Sequence, residues 1–233
     1  MLARLDYVKL APQRILDAGS GPPQRALGRR YPRANVIALD FSLAMLCSAR
    51  SWRDAFRKKL SICANLESLP LAAGSVELAW SNMSLHWLTD PLPALRELER
   101  VLAPEGLLMF STLGPDTLKE LRAVAGAARV HVFHDMHDLG DMLVAAGFSA
   151  PVMDMEMLTI AYAGADGLLK DLRESGQTSA RADRPRGLAG RGDLKAFRAA
   201  PLTATYEVVY GHAWRRAEAA PAVKTVRVFK RFS

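Results

Sequence analysis

The stretch that decides the fold is residues 14–21, which reads Arg-Ile-Leu-Asp-Ala-Gly-Ser-Gly. Its apolar start predicts a short buried strand. The two glycines predict a tight turn, in which the backbone can approach a ligand closely. Residues 22–31 predict a helix after this turn, with Pro22 in its first turn. A strand, a glycine-rich turn and a helix in this order are typical of α/β sheets that bind nucleotide-containing cofactors.

The rest of the chain continues this alternation of strands and helices up to residue 112. Further strands are predicted at 35–40, 60–64, 76–82 and 107–112, and helices at 42–52 and 91–102. Such alternation predicts βαβ units and a parallel sheet that helices cover on both faces. Beyond residue 112 the order changes, with helices predicted at 117–128, 135–146 and 165–173 and strands at 152–161 and 202–214.

Composition indicates an ordinary globular protein. The 233 residues are 50% apolar and 24% charged, which excludes a wholly disordered chain, and we expect one domain over 1–233. No apolar run is long enough for a transmembrane helix, and the first residues do not resemble a secretion signal. Cys47 and Cys63 are not clustered, so we expect no metal site, no disulfide framework and a reducing, cytoplasmic environment.

The positive charge is concentrated in the last quarter of the chain. Residues 170–233 hold 14 basic and 6 acidic residues, whereas residues 1–169 hold 17 and 18. We expect an arginine-rich insertion at 164–200 and a basic tail at 215–233. The excess is compatible with an acidic partner, which Arg181, Arg184 and Arg186 would contact, and equally with a solvated surface.

The acid before the glycine turn separates two classes of cofactor. A dinucleotide would place its pyrophosphate on this turn, where the carboxylate of Asp17 would repel it, and position 24, where the dinucleotide motif has its third glycine, is Gln. S-adenosylmethionine carries no phosphate, and its cationic amino-acid end would be attracted to Asp17. We therefore predict S-adenosylmethionine as the cofactor, with Gly19, Ser20 and Gly21 forming the turn beside it.

Other candidate cofactor contacts lie at the ends of the next strands. Asp40 closes the second strand, where an acid can accept hydrogen bonds from both ribose hydroxyls, and Phe41 and Met45 would lie near the adenine. Ser81 and Asn82 end the fourth strand, which would place them beside the methyl-donor sulfur.

Several motifs resemble those of BioC-type malonyl-[acyl-carrier-protein] O-methyltransferases. The first four are shared by many class I methyltransferases and the rest are narrower: Asp17-Ala-Gly-Ser-Gly21, Leu69-Pro70, Trp80-Ser-Asn-Met-Ser-Leu-His-Trp87, Arg96-Glu-Leu-Glu-Arg-Val-Leu-Ala-Pro-Glu-Gly106, Ser111-Thr-Leu-Gly-Pro-Asp-Thr-Leu-Lys-Glu-Leu-Arg122, Asp135-Met-His-Asp-Leu-Gly-Asp141, Gly147-Phe148 and Thr205-Tyr-Glu-Val-Val-Tyr-Gly-His212. The resemblance covers about residues 4–214. It departs at Pro22-Pro23, where the family usually has a further glycine.

This resemblance implies a fold and a reaction. The fold is the Rossmann-like class I methyltransferase sheet of seven mostly parallel strands, with an antiparallel last strand and a helical insertion near the substrate mouth. The reaction methylates the free carboxylate of malonyl-acyl carrier protein in biotin synthesis, for which no general base is needed. The resemblance also implies that Asn65 and Leu66 contact the adenine edge.

The malonyl head requires a polar or cationic group to hold it, and an acidic carrier protein would be attracted to the basic insertion. The candidates for the malonyl head are Asn82, His86, Arg122 and His137. Packing alone could also explain His86, and Arg122 could instead pair with Asp116 or Glu120.

Two other functions remain open from the sequence. The first is methylation of another small molecule or of a nucleic acid, although the residues after the fourth strand lack the Asn-Pro-Pro-Tyr pattern of base methylation. The second is a related branch, the mitochondrial complex I assembly factors, which shares the patches at 116–122 and 138–140.

Overall fold

In the computed structural model, residues 1–22, 25–48, 60–126, 130–177 and 203–217 are described, and they form a mixed sheet with helices on both faces. The strands are β1 Arg14–Ala18, β2 Asn35–Asp40, β3 Leu60–Cys63, β4 Val76–Asn82, β5 Leu102–Leu113, β6 Phe148–Ala161 and β7 Thr203–Arg215. The helices are α1 Ala26–Arg30, α2 Leu43–Ser48, α3 Leu92–Val101, α4 Lys119–Ala125, α5 Met136–Ala146 and α6 Ala165–Glu174, with short 3₁₀ helices at Leu2–Tyr7 and Leu85–Trp87.

The strand order confirms the predicted sheet. It is β3-β2-β1-β4-β5-β7-β6, with β1 to β5 parallel and β7 antiparallel to both of its neighbours. The order reverses direction between β1 and β4. Ligands of open parallel sheets bind at such a reversal, beyond the carboxyl ends of the strands.

The core lies on both faces of this sheet because apolar side chains recur at helical spacing on the covering elements. Helix α3 buries Leu95, Leu98 and Val101 against one face, as its sequence period predicts. On the other face the N-terminal 3₁₀ helix buries Leu5. No helix in the described ranges is both long enough and apolar enough to cross a membrane.

The predicted helix over 22–31 was too long. Helix α1 covers only Ala26–Arg30, and Pro22 lies in the preceding bend rather than in its first turn. Gly21, directly before this bend, adopts the left-handed φ of +56°. Residues 23 and 24 lie outside the described ranges.

Strand β5 begins five residues earlier than predicted. It starts at Leu102, directly after α3, and Pro104 lies within its range. The pairing passes from Val76↔Leu102 to Leu78↔Leu107, so additional β5 residues bulge out between the two pairs. Proline is tolerated at such a bulge because its missing N–H is not needed in the ladder.

Two of the narrower motifs, those at 111–122 and 205–212, meet where the turn after β5 packs on β7. The Glu207 carboxylate accepts the N–H of Asp116 at 2.8 Å and lies against Gly114, where a side chain would have no room. The Thr117 hydroxyl donates to the Glu207 carbonyl at 3.2 Å and accepts the Glu207 N–H at 3.1 Å. These motifs therefore hold the antiparallel strand against the end of β5.

The topology also fixes where the predicted insertion leaves the sheet. Strand β6 runs in the same direction as β5, and β7 runs against it. The end of β6 at Ala161 and the start of β7 at Thr203 therefore both lie at the edge where β1, β2 and β4 end. Helix α6 follows β6 at that edge, and residues 178–202 lie outside the described ranges.

Candidate functional site

The glycine turn after β1 is fastened to β2 by its own backbone. Gly19 and Ser20 both donate their N–H groups to the carbonyl of Leu39, at 2.8 and 3.0 Å. Gly19 adopts φ +70°, a left-handed conformation that glycine reaches without strain. The turn therefore continues the contact between β1 and β2 beyond the ends of their ladder.

Position 19 also requires glycine because Ser84 packs closely against it. A Cβ atom at this position would lie 2.3 Å from Cβ of Ser84, the residue before the 3₁₀ helix that follows β4. The Ser84 hydroxyl lies 2.5 Å from the Ser81 hydroxyl and donates to the carbonyl of Ala18 at 3.2 Å. Ser81 is fully buried, so it joins the ends of β1 and β4 and does not face a cofactor with its side chain.

Asp40, at the end of β2, ties the glycine turn to the start of α2 through its carboxylate. One carboxylate oxygen accepts the N–H of Gly21 at 2.8 Å, and the other accepts the N–H of Ser42 at 2.8 Å. The Ser42 hydroxyl in turn accepts the N–H of Met45 at 3.3 Å and caps α2. Each carboxylate oxygen of Asp40 keeps a lone pair for a ribose hydroxyl.

Asp17, just before the glycine turn, is a buried acid with a strongly raised pKa. It is 6% exposed, and none of the described residues forms a hydrogen bond or ion pair with its carboxylate. Burial, and then the negative charge of Asp40, raise the pKa of Asp17 to about 7. A cationic group placed here would restore the charged form, so the site is complementary to an ammonium group.

A cavity of about 200 Å³ opens beside Asp17. Its lining comprises Met1, Leu2, Asp17, Gly19, Ser20, Ala26, Leu27, Trp80 and Asn82. These residues come from the N-terminal 3₁₀ helix, the glycine turn, α1 and the end of β4. The cavity thus lies at the reversal of strand order and suits the amino-acid end of the predicted cofactor.

The turn does not fit a dinucleotide. A pyrophosphate bound on a glycine turn needs free backbone N–H groups in that turn. Here the N–H groups of Gly19, Ser20 and Gly21 are already donated to Leu39 and Asp40. Together with the buried Asp17 carboxylate, this geometry favours a cofactor that is cationic at this end, such as S-adenosylmethionine.

The residues predicted near the adenine differ in their accessibility. Phe41 is 80% exposed and Met45 is 46% exposed, so both apolar side chains are available to cover a ring. Asn65 accepts the N–H of Glu67 at 3.1 Å and donates to its carboxylate at 3.0 Å. The Leu66 side chain packs in the core, so only its backbone is left to contact an adenine edge.

His86 lies in the 3₁₀ helix after β4, among aromatic rings. Its ring centroid is 5.2 Å from that of Trp87 and 6.1 Å from that of Phe133. Burial, and then the nearby His131, lower the pKa of His86 to about 4, so the ring is neutral at physiological pH. Its Nε2 lies 3.1 Å from the Gln177 amide nitrogen, and its buried Nδ1 has no partner among the described residues.

Arg122 and His137 do not line this cavity. Arg122 pairs with neither Asp116 nor Glu120: its guanidinium donates to the carbonyls of Pro115 and Thr117, at 2.8 and 3.2 Å. His137 lies on the first turn of α5, where its ring contacts Asp135 at 2.7 Å. Arg181, Arg184 and Arg186 lie outside the described residues.

Sequence reasoning did not select three residues that shape the site. Trp80 lines the cavity, Ser84 packs against Gly19, and Ser111 donates its hydroxyl proton to Asn82 Oδ1 at 2.9 Å. A signal existed only for Ser111, since it lies near the end of β5, the strand next to β4. Its pairing with Asn82 became visible with the register of the two strands.

The comparisons with known proteins agree with this geometry. Residues 16–110 match the family model described as "Methyltransferase domain". A malonyl-[acyl-carrier protein] O-methyltransferase from Methylovorus sp. is 48% identical over 92% of this chain and 79% of its own, and one from Gallionella capsiferriformans is 48% identical over 93% and 82%. A solved putative methyltransferase from Bacillus halodurans superposes with a TM-score of 0.67 at 15% identity, covering 93% of this chain and 99% of its own.

We predict that Gly19→Ala is far more harmful than Gly21→Ala. The first variant adds a methyl group against Ser84 Cβ, and we expect it to lower the free energy of unfolding by about 2–5 kcal/mol. The second adds a methyl group in open space, so only the left-handed backbone opposes it, at about 1–2 kcal/mol. Urea unfolding measures both values. Adding Ser84→Gly should recover much of the Gly19→Ala loss, and equal losses in the two single variants would contradict the contact.

We predict that Asp17→Asn stabilises the free protein and weakens cofactor binding. The pKa of Asp17 is about 7 in the folded protein, against an ordinary value of 3.8. The folded state therefore binds more protons between these values, and wild-type stability falls as the pH rises from about 4 to 7. At pH 8 the variant should be more stable by about 4 kcal/mol, an advantage that shrinks towards pH 4.

Urea unfolding at pH 5 and pH 8 measures this difference in stability. Calorimetry at pH 8 should show that Asp17→Asn weakens binding of S-adenosylhomocysteine at least about tenfold, since the variant lacks a charge for the ligand ammonium. A variant that is less stable than wild type at pH 8, or that binds this ligand equally well, would contradict the assignment.

Proposed function

The chain belongs to the family of malonyl-[acyl-carrier protein] O-methyltransferases, and we propose that it methylates the free carboxylate of a malonyl group carried on acyl carrier protein. The proposed methyl donor is S-adenosylmethionine. The observation that carries the proposal is the buried Asp17 carboxylate beside the cavity, which has no cationic partner among the described residues.

The described residues fit this donor at three points. Asp17 would bind its ammonium group, the free lone pairs of Asp40 would accept its ribose hydroxyls, and Phe41 would cover its adenine. The bound donor supplies a methyl group on a positively charged sulfur. The protein's part is to orient this donor, to exclude water and to hold the acceptor in line.

The acceptor needs no base from the protein. A malonyl carboxylate is already ionised at neutral pH, so its oxygen can attack without giving up a proton. His86 is neutral and buried, and its Gln177 contact joins the residues after β4 to those after α6. In this proposal its ring, with Trp87 and Phe133, gives the malonyl head an apolar, water-poor surrounding.

The carrier protein would approach from the insertion. Both described ends of that segment, Gln177 and Thr203, lie at the edge of the sheet that holds the cavity. Its arginines, including Arg181, Arg184 and Arg186, would attract an acidic carrier protein and raise the rate of encounter. We also propose that Arg122 and His137 contact the substrate, in addition to the local hydrogen bonds that they form.

We predict methyl transfer to malonyl-acyl carrier protein in the presence of S-adenosylmethionine. Intact-protein mass spectrometry should show the mass gain of one methyl ester. Acetyl-acyl carrier protein is the matched control because it lacks the free carboxylate, and it should remain unmodified. Absence of the ester on malonyl-acyl carrier protein, with a chain shown by calorimetry to bind S-adenosylhomocysteine, would refute the proposal.

A further inference from the structure

The 3₁₀ helix Leu2–Tyr7 forms one wall of the cavity, where Met1 and Leu2 are among the lining residues. This helix has only six residues, and no side chain caps its start with a hydrogen bond. A helix this short is not stable by itself in water. Contacts with the rest of the protein must therefore hold this wall in place.

A row of paired residues leads from the cavity to the outer strands of the sheet. Asn82 on β4, which lines the cavity, pairs with Ser111 on β5. Ser111 pairs with Tyr210 on β7, which in turn pairs with Asp154 on the edge strand β6. Directly paired residues point to the same face of a sheet, so this row shares the face on which the cavity lies.

Arg4 of the 3₁₀ helix binds the outer end of this row. Its Nη2 lies 2.6 Å from Asp154 Oδ2, and its guanidinium carbon lies 4.0 Å from the centre of the Tyr210 ring. The hydrogen bond from Arg4 holds the pKa of Asp154 below its ordinary value. The Tyr210 hydroxyl donates to Glu156 at 3.3 Å, which helps to hold the ring in position. A planar guanidinium is suited to an ion pair and a ring contact at once.

The neighbouring residues of the helix are held by other parts of the fold. Leu5 is fully buried and packs in the core on this face of the sheet. Asp6 pairs with Arg30 of α1 at 2.7 Å, on the side of β2. Arg4 supplies the connection to β6 and β7, at the other end of the sheet. The helix is thus fastened on both sides, with its apolar residue between the two ion pairs.

We propose that Arg4 is a positioning residue for the cofactor, whose contacts with Asp154 and Tyr210 keep the cavity wall against the bound molecule and slow its release. The inference rests on the proposed function only in placing S-adenosylmethionine in this cavity. Arg4 does not line the cavity, so it acts through Met1 and Leu2. The ion pair is partly exposed, and such contacts contribute modestly, so the effect falls on the release rate rather than on folding.

The test measures the release of S-adenosylhomocysteine by stopped-flow displacement. We expect Arg4→Ala to release this ligand about threefold to thirtyfold faster than the wild-type chain. Asp154→Ala and Tyr210→Leu should each have a smaller effect, because each removes one of the two contacts. Adding Asp154→Ala to Arg4→Ala should change the rate little further, because their shared contact is already lost.

Conservative variants and a matched control separate positioning from a general loss of stability. Arg4→Lys keeps the positive charge and should restore part of the slow release, and Tyr210→Phe keeps the ring and should release more slowly than Tyr210→Leu. The control is Arg14→Ala, which removes a partly exposed ion pair with Glu77, 2.7 Å long, at the start of β1 and so at the edge away from the cavity. It should keep the wild-type release rate.

The outcomes distinguish this inference from the proposed function. A wild-type chain that binds S-adenosylhomocysteine, with an Arg4→Ala variant that releases it within about twofold of the wild-type rate, would overturn this inference alone. Faster release in Arg4→Ala that Arg4→Lys does not slow, or that Arg14→Ala matches, would overturn it as well. A folded wild-type chain that does not bind the ligand would overturn the cofactor site of the proposed function, and this inference with it.

Discussion

The site depends on the carboxylate of Asp40, which accepts the N–H groups of Gly21 and Ser42 on either side of it. These two bonds join the glycine turn after β1 to the start of α2. They hold the turn in the left-handed conformation at Gly21 and bring a second negative charge near the buried Asp17. The repulsion between the two acids disfavours the empty turn and favours a cationic ligand.

The rest of the cavity is arranged around this pair of charges. In the proposed function, Asp17 binds the positive end of the cofactor, and Asn82 at the end of the neighbouring strand β4 lines the same cavity. His86 contributes no charge, because burial lowers its pKa to about 4. The proposed transfer of a methyl group needs little more than holding both partners in line.

Local signals explain what the sequence predicted well. Strand β2 has the predicted bounds, and α5 covers Met136–Ala146 against a prediction of 135–146, since Asp135 caps the helix and Gly147 ends it at φ +106°. Each of these features depends on residues a few positions apart. The α/β class followed in the same way, from the glycine turn and the alternation of strands and helices, whereas the seven-stranded sheet with its antiparallel strand was implied by the resemblance to the methyltransferase family.

Features that depend on distant contacts could not be predicted. The bulge that lets β5 start at Leu102 is visible only from its pairing with β4. Ser84 and Ser111 acquire their roles from Gly19 and Asn82, which lie 65 and 29 positions away in the sequence. Arg122 has two acids within reach on its own helix and turn, yet it binds two carbonyls instead.

The most direct measurement is calorimetric titration of the chain with S-adenosylhomocysteine, beside an Asp40→Ala variant. The account predicts micromolar binding by the wild-type chain and at least a thirtyfold loss in the variant, about 2 kcal/mol, because both the ribose contact and the anchor of the glycine turn are removed. A folded wild-type chain that does not bind, or a variant that binds as tightly as wild type, would contradict it.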